Sequence, residues 1–287
     1  MADISTAFVK QFGTTLYTLV QQKGSRLRDA VLFENDLQGE AKFYDQYGSV
    51  SAKTKVSRNA DVEYITDNFN RRKVAPIDVY VADLIDKEDK LKMLLDPTST
   101  IMQSFQWALG RKIDDLIISA LGGTAYTGKE GTTAVSLPSA QKISASSAGL
   151  TLAKLLSAKE ILDGADVDPE EPRFVVCSAK QITNLLNTTQ ITSADYNTVK
   201  ALVAGQIDTF LGFKFIRSER LSKDASNNRL VYAFTKSGAL LAQAGDIVAK
   251  IDQIPQKHYA WQIYASISCG ATRMEEEKVV QIACVES

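Results

Sequence analysis

A long amphipathic segment, bounded by a proline and two glycines, limits the fold of this chain more than any other feature. Asp96 and Pro97 supply an N-cap acid and a proline at the first helical position, and Gly122 with Gly123 ends the segment. Its apolar residues recur at three- and four-residue steps: Met102, Phe105, Leu109, Ile113, Leu116 and Ala120. The sequence therefore predicts a helix over residues 97–121, about 37 Å long. Other elements must be arranged along such a helix.

Residues 172–215 are predicted to alternate strands with helices. Residues 174–177 form a short apolar strand, and Ser178 with Gln181 makes a capping box at the start of a helix. A second helix is expected to end at Gly205, and a strand to follow over residues 210–216. This stretch contains no chemically reactive pattern, so we interpret it as scaffold.

The first 75 residues contain two predicted segments with too little apolar surface to fold alone. Residues 1–37 are expected to be an arm, with a short amphipathic helix marked by Phe8 and Phe12. Residues 50–57 and 62–67 alternate around a polar turn, as in a β-hairpin. An isolated hairpin is marginally stable in water. We therefore expect the arm and the hairpin to bury their apolar side chains on another subunit.

The remaining chain is predicted to form strands and one more helix. Leu152, Leu155 and Leu162 mark that helix, which Gly164 closes. Strands are expected at residues 77–81, 230–234, 261–269 and 279–285, with residues 270–271 interrupting the third of these. A short charged helix is expected to end at residue 95, and residues 124–149 to form a loop or loose hairpin.

Composition argues against several functional classes. The chain has 33 Lys and Arg against 34 Asp and Glu, a net charge of -1. A dedicated nucleic-acid binder normally carries a basic excess, because phosphate neutralisation supplies most of its affinity. The N-terminus lacks the plan of a signal peptide, and no apolar run approaches the ~18 residues that span a bilayer. The three cysteines are expected to be reduced and buried.

The motifs that resemble catalytic or binding sites are all weak. Residues 123–130 follow the phosphate-loop pattern through Lys129 but place Glu130 where a Mg²⁺-binding hydroxyl is needed, so we expect a surface loop. His258, the only histidine, is expected to be structural. Residues 163–171 form an acidic loop without calcium-loop spacing, and residues 275–277 a solvent-facing acidic turn. We predict no catalytic residue, metal site or cofactor.

The order of these elements resembles that of the tailed-bacteriophage major capsid proteins, with their Hong Kong 97-type coat fold. The pieces most similar to that family are residues 111–115 in the long helix, residues 205–213, and residues 259–273. The likeness covers nearly the whole chain, and the ordering carries more weight than any single motif. It implies an α+β fold with an N-terminal arm (1–37), an extended hairpin loop (38–75), a peripheral domain with a spine helix (76–150), an axial domain (151–249) and returning peripheral strands (250–287).

The resemblance implies a structural protein that assembles with itself, as pentamers and hexamers, into an icosahedral shell in the virion. It further implies synthesis in the host bacterial cytoplasm, portal and scaffolding partners, weak contact with packaged double-stranded DNA, and no membrane. An encapsulin-type nanocompartment is an alternative with the same fold, and a soluble enzyme using residues 123–129 is a rival of another class. The candidate subunit-interface residues are Phe8, Phe12, Val56, Arg58, Val62, Tyr64, Arg71 and Arg72. For the basic run of residues 71–73 we favour pairing with acids on a neighbour over DNA contact.

Overall fold

A computed structural model describes residues 21–55, 57–59, 61–62, 64, 69–86, 98–187 and 209–286. In these residues the strands and helices run, in chain order: β1 Leu32–Glu34, β2 Lys42–Tyr47, β3 Phe69–Val74, β4 Ile77–Ile85, α1 Thr98–Gly122, β5 Ala125–Thr127, β6 Thr133–Val135, β7 Lys142–Ile143, α2 Leu152–Gly164, β8 Arg173–Cys177, α3 Ala179–Leu186, β9 Thr209–Phe210, β10 Phe213–Arg217, β11 Arg229–Thr235, β12 Ala239–Ile254, β13 Ala260–Arg273 and β14 Val279–Cys284.

The strands form three sheets, and the long helix α1 packs against the first of them. One sheet has the order β1-β12-β13-β4, and α1 lies against β13, β12 and β4. A six-stranded sheet has the order β7-β14-β11-β8-β10-β9, and α2 packs beside β14. The third sheet, β2-β3-β5-β6, is built on the hairpin. This is a mixed α+β architecture, as expected from the sequence.

The long helix is confirmed, displaced by one residue from the predicted bounds. Its apolar stripe supplies Leu109, Ile113, Ile117 and Leu121 to the core, each at most 3% exposed. The amide of Gly123 donates to the carbonyl of Ser119 and closes the last turn. The helix forms because this stripe matches one side of a 3.6-residue period and has a sheet to pack against.

Part of the predicted arm belongs to the chain's own fold. Leu27, Val31 and Leu37 are buried, and β1 pairs in parallel with β12. These buried side chains therefore do not need a neighbouring subunit to cover them, whereas Leu32 and Phe33 in the same segment are exposed. Gly110 on α1 permits close packing of this segment, since a Cβ there would lie 2.7 Å from the backbone of Gly24. Residues 1–20, with Phe8 and Phe12, lie outside the described residues.

The first sheet contains a strand that the sequence pattern did not reveal and another that is longer than predicted. Strand β12 runs for 16 residues, and its pairing with β13 shifts register between Ala244 and Val248. This irregularity disrupts the period-two signal. Strand β13 continues through Gly270, where an interruption was predicted, to Arg273. Glycine is required there by close packing, since a Cβ would collide with the carbonyl oxygen of Ala75.

The scaffold predicted over residues 172–215 is confirmed at its start and corrected at its end. All of β8 is buried, and α3 begins with the capping box, in which Gln181 Oε1 accepts from the Ser178 amide at 2.9 Å. Residues 210–216 are not one strand, because Leu211 and Gly212 (φ +54° and +84°) form a two-residue turn between β9 and β10. The predicted second helix and the helix before residue 96 lie outside the described residues.

The sheet memberships differ from the expected division of the chain at two points. The boundary between residues 249 and 250 falls inside β12. Strand β14, expected among the returning peripheral strands, pairs with β11 in the six-stranded sheet. The chain crosses between these sheets more than once. The division into named domains stays a prediction. No helix in the described residues is long and apolar enough to cross a membrane.

The buried stripe of α1 makes a test of the core straightforward. Replacing Leu109, which is 0% exposed, with Asp should prevent folding, because it buries an unpaired charge. The matched control is Gln106→Asp on the exposed side of the same helix, which should fold normally. Thermal unfolding followed by circular dichroism compares the two. A soluble Leu109→Asp protein with a cooperative transition would contradict the assignment of this stripe to the core.

Candidate subunit interface

The hairpin is built differently from the prediction. Its strands β2 and β3 pair from Lys42 opposite Val74 to Tyr47 opposite Phe69. The described residues between 48 and 64, where strands were predicted, have no regular secondary structure. Strand pairing lies at the base because β5 and β6 add a third and a fourth strand there. The loop predicted over residues 123–130 thus forms β5 and a turn, and supports the hairpin from the same chain.

The two faces of this four-stranded sheet have different environments. On the inner face, Gln46 and Arg72 donate to the carbonyl oxygen of Met274, at 2.9 and 2.8 Å. This contact fixes the hairpin base to the end of β13. The alternate residues of β2, including Phe43 and Tyr47, lie on the outer face and are exposed. One face of the sheet is therefore buried in the chain itself and the other is left open.

A buried cluster of two arginines and one glutamate holds the inner face. Glu276 Oε2 accepts from Arg72 Nη2 at 2.5 Å, and Glu276 Oε1 lies 3.4 Å from Arg273 Nε. Arg72 is 7% exposed and Arg273 is 0% exposed. The predicted solvent-facing acidic turn is thus wrong for Glu276. Sequence reasoning missed it because three adjacent glutamates carry no sign of which one turns inward.

Arg273 joins several elements through backbone carbonyl groups. Its Nη1 donates to Leu121 and Gly123, at 3.1 and 2.7 Å, and its Nη2 donates to Val135 at 3.0 Å. Burial lowers the pKa of this guanidinium, and the neighbouring Glu276 acts in the opposite direction. The end of α1, strand β6 and the turn after β13 are therefore fixed around one charged group.

The candidate interface residues have different positions in the structure. Val62 and Tyr64 are 75% and 89% exposed, and Arg58 is also exposed. Arg71 pairs with Asp45 of its own chain at 2.5 Å. Arg72 is buried against Glu276, so the predicted pairing of the basic run with a neighbour's acids is not needed for these two arginines. Phe8, Phe12 and Val56 lie outside the described residues.

A second buried acid, Asp114, fixes the segment that precedes β1. Its carboxylate accepts from Gln22 Nε2 and Ser25 Oγ at 2.5 Å, and from the amides of Arg26 and Leu27 at 3.1 Å. Asp114 is 0% exposed, and these donors replace the water that it loses. Arg111, one turn earlier, donates to the carbonyl of Gln22 at 3.0 Å. The chain is therefore held in one path along α1 before it enters the sheet.

A third acid, Glu286, connects α3 with the six-stranded sheet. Its carboxylate accepts from Arg229 Nε and Ser178 Oγ at 2.9 Å, and pairs with Lys223 at 3.2 Å. The Arg229 bond is the main cause that lowers the pKa of Glu286 to about 2. Together with Glu276 and Asp114, it shows that the carboxylates of this site serve to hold segments in place.

The side chains considered for catalysis or metal binding are buried, lie in a turn or pair with other side chains. Burial raises the pKa of Cys177 to about 12 and of Cys269 and Cys284 to about 11, which disfavours the reactive thiolates. His258 has φ +51° in the turn between β12 and β13. In the acidic loop, Asp163 pairs with Arg173 at 2.6 Å. Within the described ranges, no group of three or more His, Cys, Asp or Glu is arranged to hold a metal ion.

Comparison with known proteins identifies relatives over the full length of this architecture. A family model described as phage capsid protein matches residues 4–286. The capsid of cyanophage P-SCSP1u superposes with a TM-score of 0.79 at 16% identity, covering 100% of this chain and 96% of that one. The capsid of cyanophage Pam1 gives 0.77 at 14% identity, covering 99% of each chain. The head of Helicobacter pylori bacteriophage KHP40 gives 0.75 at 12%, covering 98% of each. No curated protein matches the sequence.

Removing the acid between the two buried arginines should destabilise the subunit. Glu276→Gln leaves Arg72 and Arg273 buried without a carboxylate, which should cost about 3 kcal/mol. The control is Glu277→Gln, because Glu277 is exposed one residue further on and its loss should change stability by less than about 0.5 kcal/mol. Urea unfolding of the free subunits measures both. Equal midpoints for the two variants would contradict the structural role of Glu276.

The lowered pKa of Glu286 predicts a specific loss of stability in acid. A carboxyl group whose folded-state pKa is below its ordinary value of 4.5 stabilises the fold above that value. This contribution disappears as the pH falls from about 4.5 to about 2. The stability difference between the parent and Glu286→Gln should therefore shrink across this interval, as measured by urea unfolding at a series of pH values. A difference independent of pH would rule out the ion-pair contribution.

Proposed function

The chain belongs to the phage capsid protein family, and we propose that its copies meet through the surfaces that its fold leaves uncovered to close an icosahedral shell. Its role is that of a major capsid protein, a structural subunit of the virion. The protein then acts by associating with other copies of itself, mainly through the exposed hairpin. No step of bond making or breaking is assigned to it.

The observation that carries this proposal is the exposure of the hairpin beyond its paired base. Val50, Val62 and Tyr64 are 50%, 75% and 89% exposed. A monomer gains nothing from displaying large apolar side chains on an extended segment, and such surfaces mark protein contacts. Each contact is small, but a subunit in a shell touches several neighbours at once, and linked contacts reinforce one another through effective concentration. Weak single contacts also allow misplaced subunits to dissociate.

The finer features of the assembly rest on the family resemblance. The proposed capsomers are pentamers and hexamers, and the proposed partners are portal and scaffolding proteins. The net charge of -1 supports a shell that encloses double-stranded DNA with only weak contact, since it holds no basic excess to bind the genome tightly. Synthesis in the cytoplasm of the host bacterium is part of the same proposal.

The alternatives from the sequence are less favoured. The family match favours a phage capsid over an encapsulin-type compartment. The nucleotide-binding enzyme depended on residues 123–129, and these lie in strand β5 and its turn. A phosphate loop instead wraps around its ligand between a strand and a helix. Lys129 is exposed at that turn, and the element that follows it is strand β6.

Shortening the hairpin should separate folding from assembly. Replacing residues 48–68 with Asn-Gly joins Tyr47 to Phe69, which are paired at the end of the base, through a two-residue turn of favoured type. The folded core keeps its contacts, so the melting temperature of the free subunit should change little. Closed shells should not form, because the exposed apolar segment is gone. Electron microscopy and analytical ultracentrifugation supply the measurement, with the full-length chain as control. Normal shells from the shortened chain would refute the proposed role of the hairpin.

A further inference from the structure

The outer face of the hairpin sheet has an unusual surface composition, and we call it the aromatic–basic face. It carries four exposed aromatic residues and three cations. They are Phe43, Tyr47, Phe69, Tyr126, Arg71, Lys73 and Lys129. The aromatic residues are 38%, 53%, 66% and 48% exposed, respectively. Sheet pairing brings them together, since Phe43 lies opposite Lys73, and Lys73 lies opposite Tyr126.

Four side chains of this face make contacts within the subunit. The rings of Tyr47 and Phe69 meet edge to face with their centroids 5.0 Å apart. The guanidinium of Arg71 lies 6.0 Å from the centre of the Phe43 ring and pairs with Asp45. An ordered surface loses little side-chain entropy when it binds a partner. The face is therefore prepared for contact before any partner arrives.

A groove crosses this face and defines where a partner inserts. Its volume is about 520 Å³, and its lining includes Phe69, Arg71 and Lys129. Asp45 also lines the groove and pairs with Arg71, so Lys129 is the cation of the lining without an ion pair in the described ranges. The groove fits a short segment that presents carboxylates, because Lys129 would pair with them while the Phe69 ring covers the chain.

The outer face is directed away from the rest of its own subunit, so the segment that binds it comes from another molecule. Arg72 and Gln46, on the inner face of the same strands, contact Met274, so the outer face is directed away from that body. Tyr, Phe and Arg are the residues enriched at the centre of protein–protein contacts. Duplex DNA offers phosphates but hides its base faces in the stack, so four exposed aromatic rings favour a protein partner over DNA.

The charge of the face specifies an acidic partner segment. In the described ranges, neither Lys73 nor Lys129 forms an ion pair. Of the acids near them, Asp45 is paired with Arg71, and Glu130 is exposed next to Lys129 in the turn. The same chain displays an acidic loop after α2, where Asp166, Asp168 and Glu170 are exposed. The flanking acids of that loop are occupied, since Asp163 pairs with Arg173 and Glu171 accepts from the Ser237 amide at 2.6 Å.

We propose that the aromatic–basic face of one copy receives the acidic loop, residues 166–170, of the next copy. The inference rests on the proposed function and names one of its contacts. The face lies on the hairpin sheet and the acidic loop lies between α2 and β8, so two different surfaces meet and the contact is head-to-tail. Contacts of this kind repeat around an axis and close into a ring when the rotation allows. Lys129 pairs with the carboxylates of the loop, and Phe69 and Tyr126 shield those pairs from water.

Charge reversal with restoration tests this pairing. Lys129→Glu should abolish shell formation, since it places like charges together, and the double variant Lys129→Glu with Glu170→Lys should restore it. Both positions are exposed, so the free subunits should melt like the parent. Lys180→Glu, at an exposed site on α3, applies the same charge change away from the face and should still assemble. Electron microscopy and sedimentation score all four proteins.

A disulfide trap checks the distance directly. Lys129→Cys combined with Glu170→Cys should give ladders of linked subunits on non-reducing gels of assembled particles, because a disulfide requires Cα atoms within about 7 Å. The native cysteines are free and buried, so the parent should run as a monomer. Each single-cysteine variant should also run as a monomer.

The outcomes separate this inference from the proposed function. Shell formation lost in Lys129→Glu and regained in the double variant, with a ladder in the trap, supports the pairing. The pairing is overturned if Lys129→Glu assembles like the parent, or if the double variant with Glu170→Lys does not regain shell formation. It is also overturned if the double-cysteine variant forms intact shells that give no ladder. Shells of Lys129→Glu that form normally but hold less DNA also overturn it, in favour of a nucleic-acid surface. A parent protein that never forms shells defeats the proposed function itself.

Discussion

The arrangement of this subunit depends on the burial of Arg273 beside Glu276. A guanidinium removed from water must have its donors satisfied, and the partners available to Arg273 are Glu276 and the carbonyls that end α1 and β6. Meeting this requirement fixes the spine helix, the support of the hairpin and the turn after β13 relative to one another. Arg72 enters the same cluster from β3. The hairpin is thereby held at its base, while Val50, Val62 and Tyr64 beyond the base stay exposed.

This rigid base explains how the subunit can assemble without losing its own fold. Asp114 and Glu286 act in the same manner at other junctions, the first holding the segment before β1 and the second holding α3 to the six-stranded sheet. At each junction, hydrogen bonds to a carboxylate of the same chain favour a single geometry. The apolar side chains of the distal hairpin and the aromatic–basic face remain outside these networks. They are available to neighbours because the core is complete without them.

Much of the fold was predictable where hydrophobic periodicity is local. The stripe of α1, the buried strand β8 and the capping box at Ser178 were all identified from neighbouring residues. The errors occur where the position or length of a strand depends on a pairing partner distant in sequence. Strand β12 was missed, the hairpin strands were placed too far from the base, and β13 was wrongly ended at Gly270. At the candidate interface, Val62 and Tyr64 are exposed and stay predicted contact residues, whereas Arg72, predicted for the same interface, is buried against Glu276.

The sequence alone determined the long helix, the family resemblance and the shortage of apolar residues in the hairpin, because each of these is a property of consecutive residues. Only the tertiary structure decided that Glu276, among three adjacent glutamates, turns inward, and that Arg71 and Arg72 point to opposite faces of the sheet. Those outcomes follow from strand register and from the desolvation of Arg273, which depend on residues about 200 positions apart. Local pattern contains no information about which distant charge will be buried beside a given acid.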